Sequence, residues 1–539
     1  MRFVVQPEQR IPSVIGPRAA VLIPDSWDDR GYRTSYDLWI RPGDYARVIE
    51  IGRVKIALVD QGPGPSPLPS GDFNGRLPAS MGEWISLGQD DVYYERLAEL
   101  GHQAAGEILV GLGDVTVLGD DPTSGEPKLL ALSKSSPVAA ISLMRSVSLS
   151  TVIGQYRRIT TGGPRLTRYK FNYHPPKSNR EAPARPPLEF EVRPHSMPSS
   201  NIHVLIGRNG VGKTTILRSL ATAAVRAFDP PGTAGKIHYI EDASFANVLL
   251  VTFSAFDPFA GITASHTTTR YTHVGLTQHV PDREADATQT ARLKGRDELT
   301  DEFLDSLKSI SSSGQYHRWV KAVVNLASDP QFATAVLGAT PETLPNLAVT
   351  AFDTLLRPES KGRLTTGTGR PWRDVFMNLS SGHAIVLLTI TRLVDLVAEQ
   401  TLVLLDEPEA HLHPPLLSSF VRALSDLLTE RNGVAITATH SPVVLQEVPK
   451  SCVYKISRNG SHWRARRPRI ETYGENVGVL THEIFGLEVM KSGFYAEIER
   501  AVARFDAYED VLGHFEDQLG DEAKGLVRIL LADKITGDR

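Results

Sequence analysis

One string of eight residues limits this chain more than any other: Gly207-Arg208-Asn209-Gly210-Val211-Gly212-Lys213-Thr214. It lies between the apolar run His203-Val204-Leu205-Ile206 and the run Ile216-Leu217-Arg218-Ser219-Leu220-Ala221. A strand, a glycine-rich loop and a helix in that order make a phosphate cradle. Glycine lets the backbone fold tightly enough to aim successive N–H groups at phosphate oxygens, and the helix N-terminus that follows adds partial positive charge. Lys213 is then placed to reach the β and γ phosphates of ATP and Thr214 to offer a hydroxyl to Mg²⁺. Residues Gly207 to Thr215 together line the phosphate chain. A mostly parallel α/β sheet is the fold this string predicts.

Two further apolar runs fit the same sheet. Thr401-Leu402-Val403-Leu404-Leu405 is of strand length and has no polar alternation, as a strand buried on both faces must be. It ends in Asp406-Glu407-Pro408. Two carboxylates at a strand's carboxyl end suit Mg²⁺ coordination by Asp406 and orientation or deprotonation of an attacking water by Glu407, with Pro408 fixing the turn. Gly433-Val434-Ala435-Ile436-Thr437-Ala438-Thr439 is the second run and ends at His440-Ser441-Pro442. One helix, Pro415 to Leu428, fits between them, and this crossover sets His440 beside Glu407, where an imidazole can sense a γ-phosphate. Between these strings stands Leu379-Ser380-Ser381-Gly382-His383, leading into Ala384-Ile385-Val386-Leu387. Small hydroxyl residues at a helix start present bare N–H groups to an anion, and an ordinary N-cap at Ser380 satisfies the same pattern.

The phrase Leu405-Asp406-Glu407-Pro408-Glu409-Ala410-His411-Leu412-His413-Pro414 resembles the ABC-type ATPases of the SMC-like branch. That branch holds double-strand-break-repair ATPases, OLD-family proteins and the ATPase subunits of bacterial anti-phage systems such as Septu and PARIS. The resemblance implies an ABC-type head and two heads that sandwich ATP. In that arrangement Ser380, Ser381 and Gly382 of one head contact the γ-phosphate held by Lys213 of the other. ATP then joins a homodimer or higher oligomer, and hydrolysis to ADP and phosphate opens it. Glu407, His440 and Lys213 are the catalytic candidates. The chain departs from the family pattern in having Ser381 where a second glycine is usual and His383 where a Gln is usual. The family's Gln at the end of the strand Asn247 to Phe253 has no counterpart, so Ser254 is the expected metal-side substitute, with Asp257 behind it. His411 and His413 straddle a turn and belong to the family's D-loop rather than to a metal site.

Residues 1–145 read as an α+β accessory domain, with strands at Ala20–Ile23, Thr34–Ile40 and Arg53–Val59, a helix over Asp90–Glu107, and Pro24 to Tyr32 as a turn. Residues 146–262 form the first half of the head, and 263–377 a helical subdomain too short for a long coiled coil. Residues 378–450 form the second half of the head and 451–539 a hairpin and helical tail. No nuclease-type set of acids follows His440. Glu516-Asp517 and Glu522 read as solvated helical surface.

A net charge of -4 over 539 residues gives no global pull toward nucleic acid. The lone Cys452 excludes an internal disulfide and a cysteine zinc cluster, and reads as a small buried hydrophobe. No apolar stretch reaches the roughly 20 residues of a membrane span and no signal-peptide hydrophobic region opens the chain, so a cytoplasmic protein with no membrane role is expected. Locally, Arg458, Arg464, Arg466, Arg467 and Arg469 cluster with His462 and Trp463 around Asn459-Gly460, a hairpin signal. Either this patch grips a nucleic-acid backbone while Trp463 stacks on a base, or it is a hairpin edge protected by charge. The expected role is an ATP-driven sensor and switch subunit of a prokaryotic anti-phage complex that controls a separately encoded nuclease or toxin. Competing expectations are a DNA-repair ATPase that remodels ends and an ATP-stabilised oligomeric scaffold with little turnover.

Overall fold

The computed structural model describes residues 1–7, 15–43, 46–119, 127–177, 185–225, 234–240, 245–252, 269–281, 289–313, 315–338, 357–358, 364–366, 369–459, 462–489 and 493–537. Ser254, Asp257 and Gly460 lie outside them.

Alternating and apolar runs at the start of the chain build a six-stranded sheet. Its strands are β1 (Arg2–Val5), β2 (Ala19–Pro24), β3 (Ser35–Arg41), β4 (Ile49–Leu58), β5 (Gly71–Asn74) and β6 (Trp84–Gly88), in the order β5-β1-β2-β3-β4-β6. The β1–β2 pair is parallel and the rest antiparallel. The expected long helix over Asp90–Glu107 is two helices, Asp91–Glu99 and His102–Leu112, because Gly101 turns the chain between them. Their apolar faces join Phe3, Leu22, Leu38 and Ile56 in one core, which extends to Val152, Tyr156 and Ile159. The acidic string Pro24 to Tyr32 is a turn used inside this domain: Asp29 is buried, 2.7 Å from Lys55 Nζ and 2.8 Å from Arg145 Nη1.

A small antiparallel sheet follows, made of β7 (Tyr169–His174), β8 (Leu188–Val192) and β10 (Lys236–Ile240). The central sheet has seven strands: β9 (Ile202–Ile206), β11 (Asn247–Thr252), β12 (Arg270–Gly275), β17 (Thr401–Asp406), β18 (Val434–Thr439), β19 (Val453–Asn459) and β20 (His462–Arg466). Two short ribbons, β13 (Thr277–Pro281) with β14 (Gln289–Leu293) and β15 (Arg357–Pro358) with β16 (Leu364–Thr365), complete the described strands. The central order is β12-β11-β17-β18-β9-β19-β20, parallel throughout except for the terminal hairpin.

Side chains on a strand alternate faces, so a sheet buried on both sides must be apolar at every step. Val403 and Leu405 enter one core with the helices, whereas Leu402 and Leu404 enter the other with the small sheet and the helix Lys213–Val225. Each such aliphatic contributes about 1.5–3 kcal/mol when fully buried. On the helical face, Arg296–Ser313, Tyr316–Leu326 and Trp372–Met377 hold the long helix Ser381–Leu396. Trp319 and Trp372 meet edge-on with centroids 5.3 Å apart, and Trp319 Nε1 donates to Thr391 Oγ1 at 2.8 Å.

A buried ionic junction ties the first domain to this helical layer. Arg318 donates to Asp90 and, at 2.8 Å, to Asp91, while Arg431 at the end of the crossover helix Pro414–Arg431 donates to Asp91 at 2.8 Å. Burial opposes ionisation of Asp90, but Arg318 and Arg431 outweigh it and hold its carboxyl well below the ordinary range. Burial and Asp90 push the Asp91 carboxyl upward, against the pull of Arg431 and Arg318.

Beyond the hairpin, three helices, Phe494–Arg504, Tyr508–His514 and Asp521–Gly537, close on their own core of Ile498, Val502, Val511 and Val527. Glu516 and Asp517 stand exposed in the turn before the last helix, each with positive φ, rather than on a helix as the sequence reading has them. Among the described residues no helix is long and apolar enough to cross a membrane.

Candidate nucleotide site

Three strand ends converge on one edge. β9 ends at Ile206 and the chain enters the glycine loop, where Gly210 and Gly212 take φ of 80° and 95°, a region that side chains with a Cβ disfavour. Arg208, Asn209 and Gly210 face solvent and Val211 turns inward to anchor the loop. Lys213 opens the helix Lys213–Val225, and its buried Nζ donates to the carbonyls of Gly207 at 2.8 Å and Arg208 at 2.9 Å. Burial lowers the pKa of this ammonium, against the opposing pull of Glu407, Glu409 and Asp406. Thr215 beside it is exposed.

β18 lies between β9 and β17, so the phosphate loop and the carboxylate pair are one strand apart. Across that gap Thr214 Oγ1 donates to Asp406 Oδ1 at 2.9 Å. Burial pushes the Asp406 carboxyl up to about 6; Glu407 and Glu409 push the same way, and the Thr214 bond and Lys213 only partly oppose them. A hydroxyl and a carboxylate are hard oxygen donors of the kind Mg²⁺ takes. Three carboxylates around one ammonium leave local negative charge that a cation neutralises.

Glu407 sits in the left-handed region with φ 47°, costing roughly 1–2 kcal/mol, and its N–H donates to Ala438 O at 2.9 Å. Strain of this kind collects where a side chain must be aimed. The Glu407 carboxylate is partly exposed, 3.7 Å from His440 Nδ1. The crossover helix spans Pro414–Arg431, longer at both ends than expected, and returns the chain so that His440 stands at this edge. Lys213, Thr214, Asp406, Glu407 and His440 are therefore together.

Ser380 caps the helix Ser381–Leu396, accepting from His383 N at 3.4 Å. Gly382 has a packing reason of its own, since a Cβ there would lie 2.6 Å from His411 O. Only glycine lets the D-loop backbone come this close. His383, in place of the expected Gln, packs edge-on against Phe332 at 5.6 Å and approaches Asp329 at 4.0 Å. Asp329 also meets His413 Nε2 at 2.8 Å. His413 is thus bound to a carboxylate of the helical layer, and among the described residues no group of three metal-ligating side chains forms.

The basic cluster does not act as one surface. β19 and β20 pair as a hairpin, with Asn459 opposite His462, and this divides the arginines. Arg464 and Arg466 are exposed on one face. Trp463 is buried at 9% exposure in the core beneath the other face, so of the two readings of this patch the one in which Trp463 stacks on a base is set aside. Arg467 lies 3.6 Å over the Tyr454 ring and donates to Val453 O and Glu189 O, a structural post rather than a free guanidinium.

Glu409 escaped the sequence reading. Its Oε1 accepts from Thr439 Oγ1 at 2.6 Å and from His440 N at 2.8 Å. The Pro408–His411 turn brings it back over the strand end, and only its place two residues beyond Glu407 hinted at this.

A P-loop one strand away from an Asp-Glu strand end, with a helical layer preceding the signature helix, is the fold of a P-loop ATPase head of the ABC and SMC kind. Residues 348–446, which carry the signature, carboxylate pair and His440, match the family described as AAA domain, putative AbiEii toxin, Type IV TA system. Over 535 residues the chain is 36% identical to protein ea59 of Escherichia phage lambda, covering 96% of each. Similar solved structures include a putative metal-chelate type ABC transporter in an inward-facing conformation, with TM-score 0.29, 16% identity, and coverage of 59% of this chain and 89% of that one. Another is the SMC head domain from Thermotoga maritima, with TM-score 0.26, 12% identity, and coverage of 57% and 100%.

Proposed function

The chain belongs to the family of protein ea59 of Escherichia phage lambda, and on that premise we propose that it is a nucleotide switch that binds and hydrolyses ATP between paired heads. The observation that carries this reading is the 2.9 Å bond from Thr214 to Asp406 at an edge that also holds Lys213, Glu407 and His440. Gly207 to Thr215 would hold the phosphates, and Thr214 and Asp406 would hold Mg²⁺, which neutralises phosphate charge when bound. Glu407 orients or takes a proton from the attacking water, and His440 reports on the γ-phosphate. Ser380, Ser381 and Gly382 serve the partner head's nucleotide. The switch acts on a separately encoded effector, a nuclease or toxin, in conflict between phages and their hosts. The AbiEii-type match over 348–446 is what supports that setting.

Steady-state turnover tests the chemistry. Wild type releases phosphate from ATP, Glu407→Gln slows release on the order of 100-fold or more while ATP-dependent dimers accumulate, and Lys213→Ala abolishes both. Unchanged turnover in Lys213→Ala would remove the assignment of the loop.

A further inference from the structure

One acid at this edge is held more firmly than its proposed neighbours, and no step assigned so far uses it. The Glu409 side chain is 9% exposed. Its Oε1 takes two donors, the Thr439 hydroxyl and the His440 N–H, and lies 3.1 Å from His440 Nδ1. Thr439 Oγ1 in turn accepts from Ser441 N at 2.9 Å, so the carboxylate and this hydroxyl clamp the whole turn 439–441. Oε2 is buried and has no hydrogen-bond partner among the described residues. A buried carboxylate oxygen without a donor is costly, and such a cost persists where the group has another task.

We propose that Glu409 is the positioning residue for His440. By fixing the backbone at 439–441 it sets where the imidazole stands beside Glu407, and its Oε1, 3.1 Å from Nδ1, holds the ring proton on that nitrogen. Nε2 is then the ring nitrogen left for a phosphate oxygen. The inference rests on the ATPase reading above and adds to it a second acid whose work is done through the histidine rather than on the nucleotide.

The test is a double-mutant cycle on the full chain with ATP as the probe. Glu409→Ala should lower kcat about 100-fold, the penalty of a catalytic group misplaced by an ångström, with the ATP dissociation constant within about twofold. Glu409→Gln keeps an oxygen that accepts from Thr439 and His440 N, and should recover most of the loss. In a His440→Gln background Glu409→Ala should add nothing, because its effect runs through the ring. A full additional loss there, or wild-type kcat in Glu409→Ala, would overturn the proposal. Selective ¹⁵N-histidine labelling reads the ring without turnover. The His440 resonances, identified by their absence in His440→Gln, should move in Glu409→Ala, and unmoved resonances would overturn the proposal. A wild type that fails to hydrolyse ATP would defeat the ATPase reading alone, since these resonances still decide the role of Glu409.

Discussion

The ionic junction and the nucleotide edge are both charge clusters, and they are built on opposite plans. At the junction, Asp90 and Asp91 meet Arg318 and Arg431, and Arg165 closes on Asp91 at 3.2 Å. Every acid there has a guanidinium. At the nucleotide edge, Asp406, Glu407 and Glu409 face a single ammonium, and Lys213 Nζ is turned onto two backbone carbonyls. The first cluster is balanced within itself. The second is balanced only by something added, which is how a binding site differs from a structural ion pair in the same low dielectric.

Breaking the balanced cluster gives the largest effect expected. Arg318→Ala leaves two buried carboxylates short of their main partner and should destabilise the chain by about 3–5 kcal/mol, read as a fall in thermal midpoint. Asp90→Asn and Asp91→Asn combined with Arg318→Met and Arg431→Met should restore much of it, because no buried charge of the cluster is then left without its partner.

The unbalanced cluster should respond in the opposite sense. The folded Asp406 carboxyl titrates at about 6, above its ordinary 3.8, so the folded state binds the proton more tightly. Stability from this group is full below pH 3.8 and is lost as pH rises through 6. Asp406→Asn should therefore stabilise the ligand-free chain at pH 8 by at most roughly 3 kcal/mol, read as a higher thermal midpoint, with a smaller gain at pH 5. It should also remove Mg²⁺-dependent nucleotide binding. A destabilised Asn variant at pH 8 would erase the contrast between the clusters.

Gly382→Ala probes the seam between signature and D-loop. The added carbon must displace His411 O, so a cost of about 1–3 kcal/mol and slower turnover are expected. The smallest effect belongs to Arg464→Ala with Arg466→Ala. Stability should stay within about 0.5 kcal/mol, and nucleic-acid binding, measured against salt, reads whether the exposed face grips phosphate.

The parts of the fold written in the sequence are those with a local cause. β9, β17 and β18 are mostly aliphatic because both faces are buried at every position, and the glycine loop announces its own turn. The crossover brings His440 to the edge beside Glu407 because chain connectivity decides it. What stayed hidden depends on distant partners. Nothing near Asp90 points to Arg318, more than two hundred residues away, and nothing near Trp463 says that the sheet's second face will bury it. Glu409 was hidden for the same reason, since its partners lie on another strand. The arginines of this stretch look like one surface until the hairpin register sets Arg458 opposite Trp463 on one face and Arg464 opposite Ser457 on the other.

The seam at Gly382 and the Asp329–His413 bond have a mechanical consequence. In a pair of heads, the residues proposed to touch the partner's nucleotide are fastened to the D-loop, and the same short segment begins with the turn that carries Glu407 and Glu409 in the chain's own site. If the proposed dimer forms, the seam joins each head's own carboxylate turn to the residues proposed to face its partner's nucleotide.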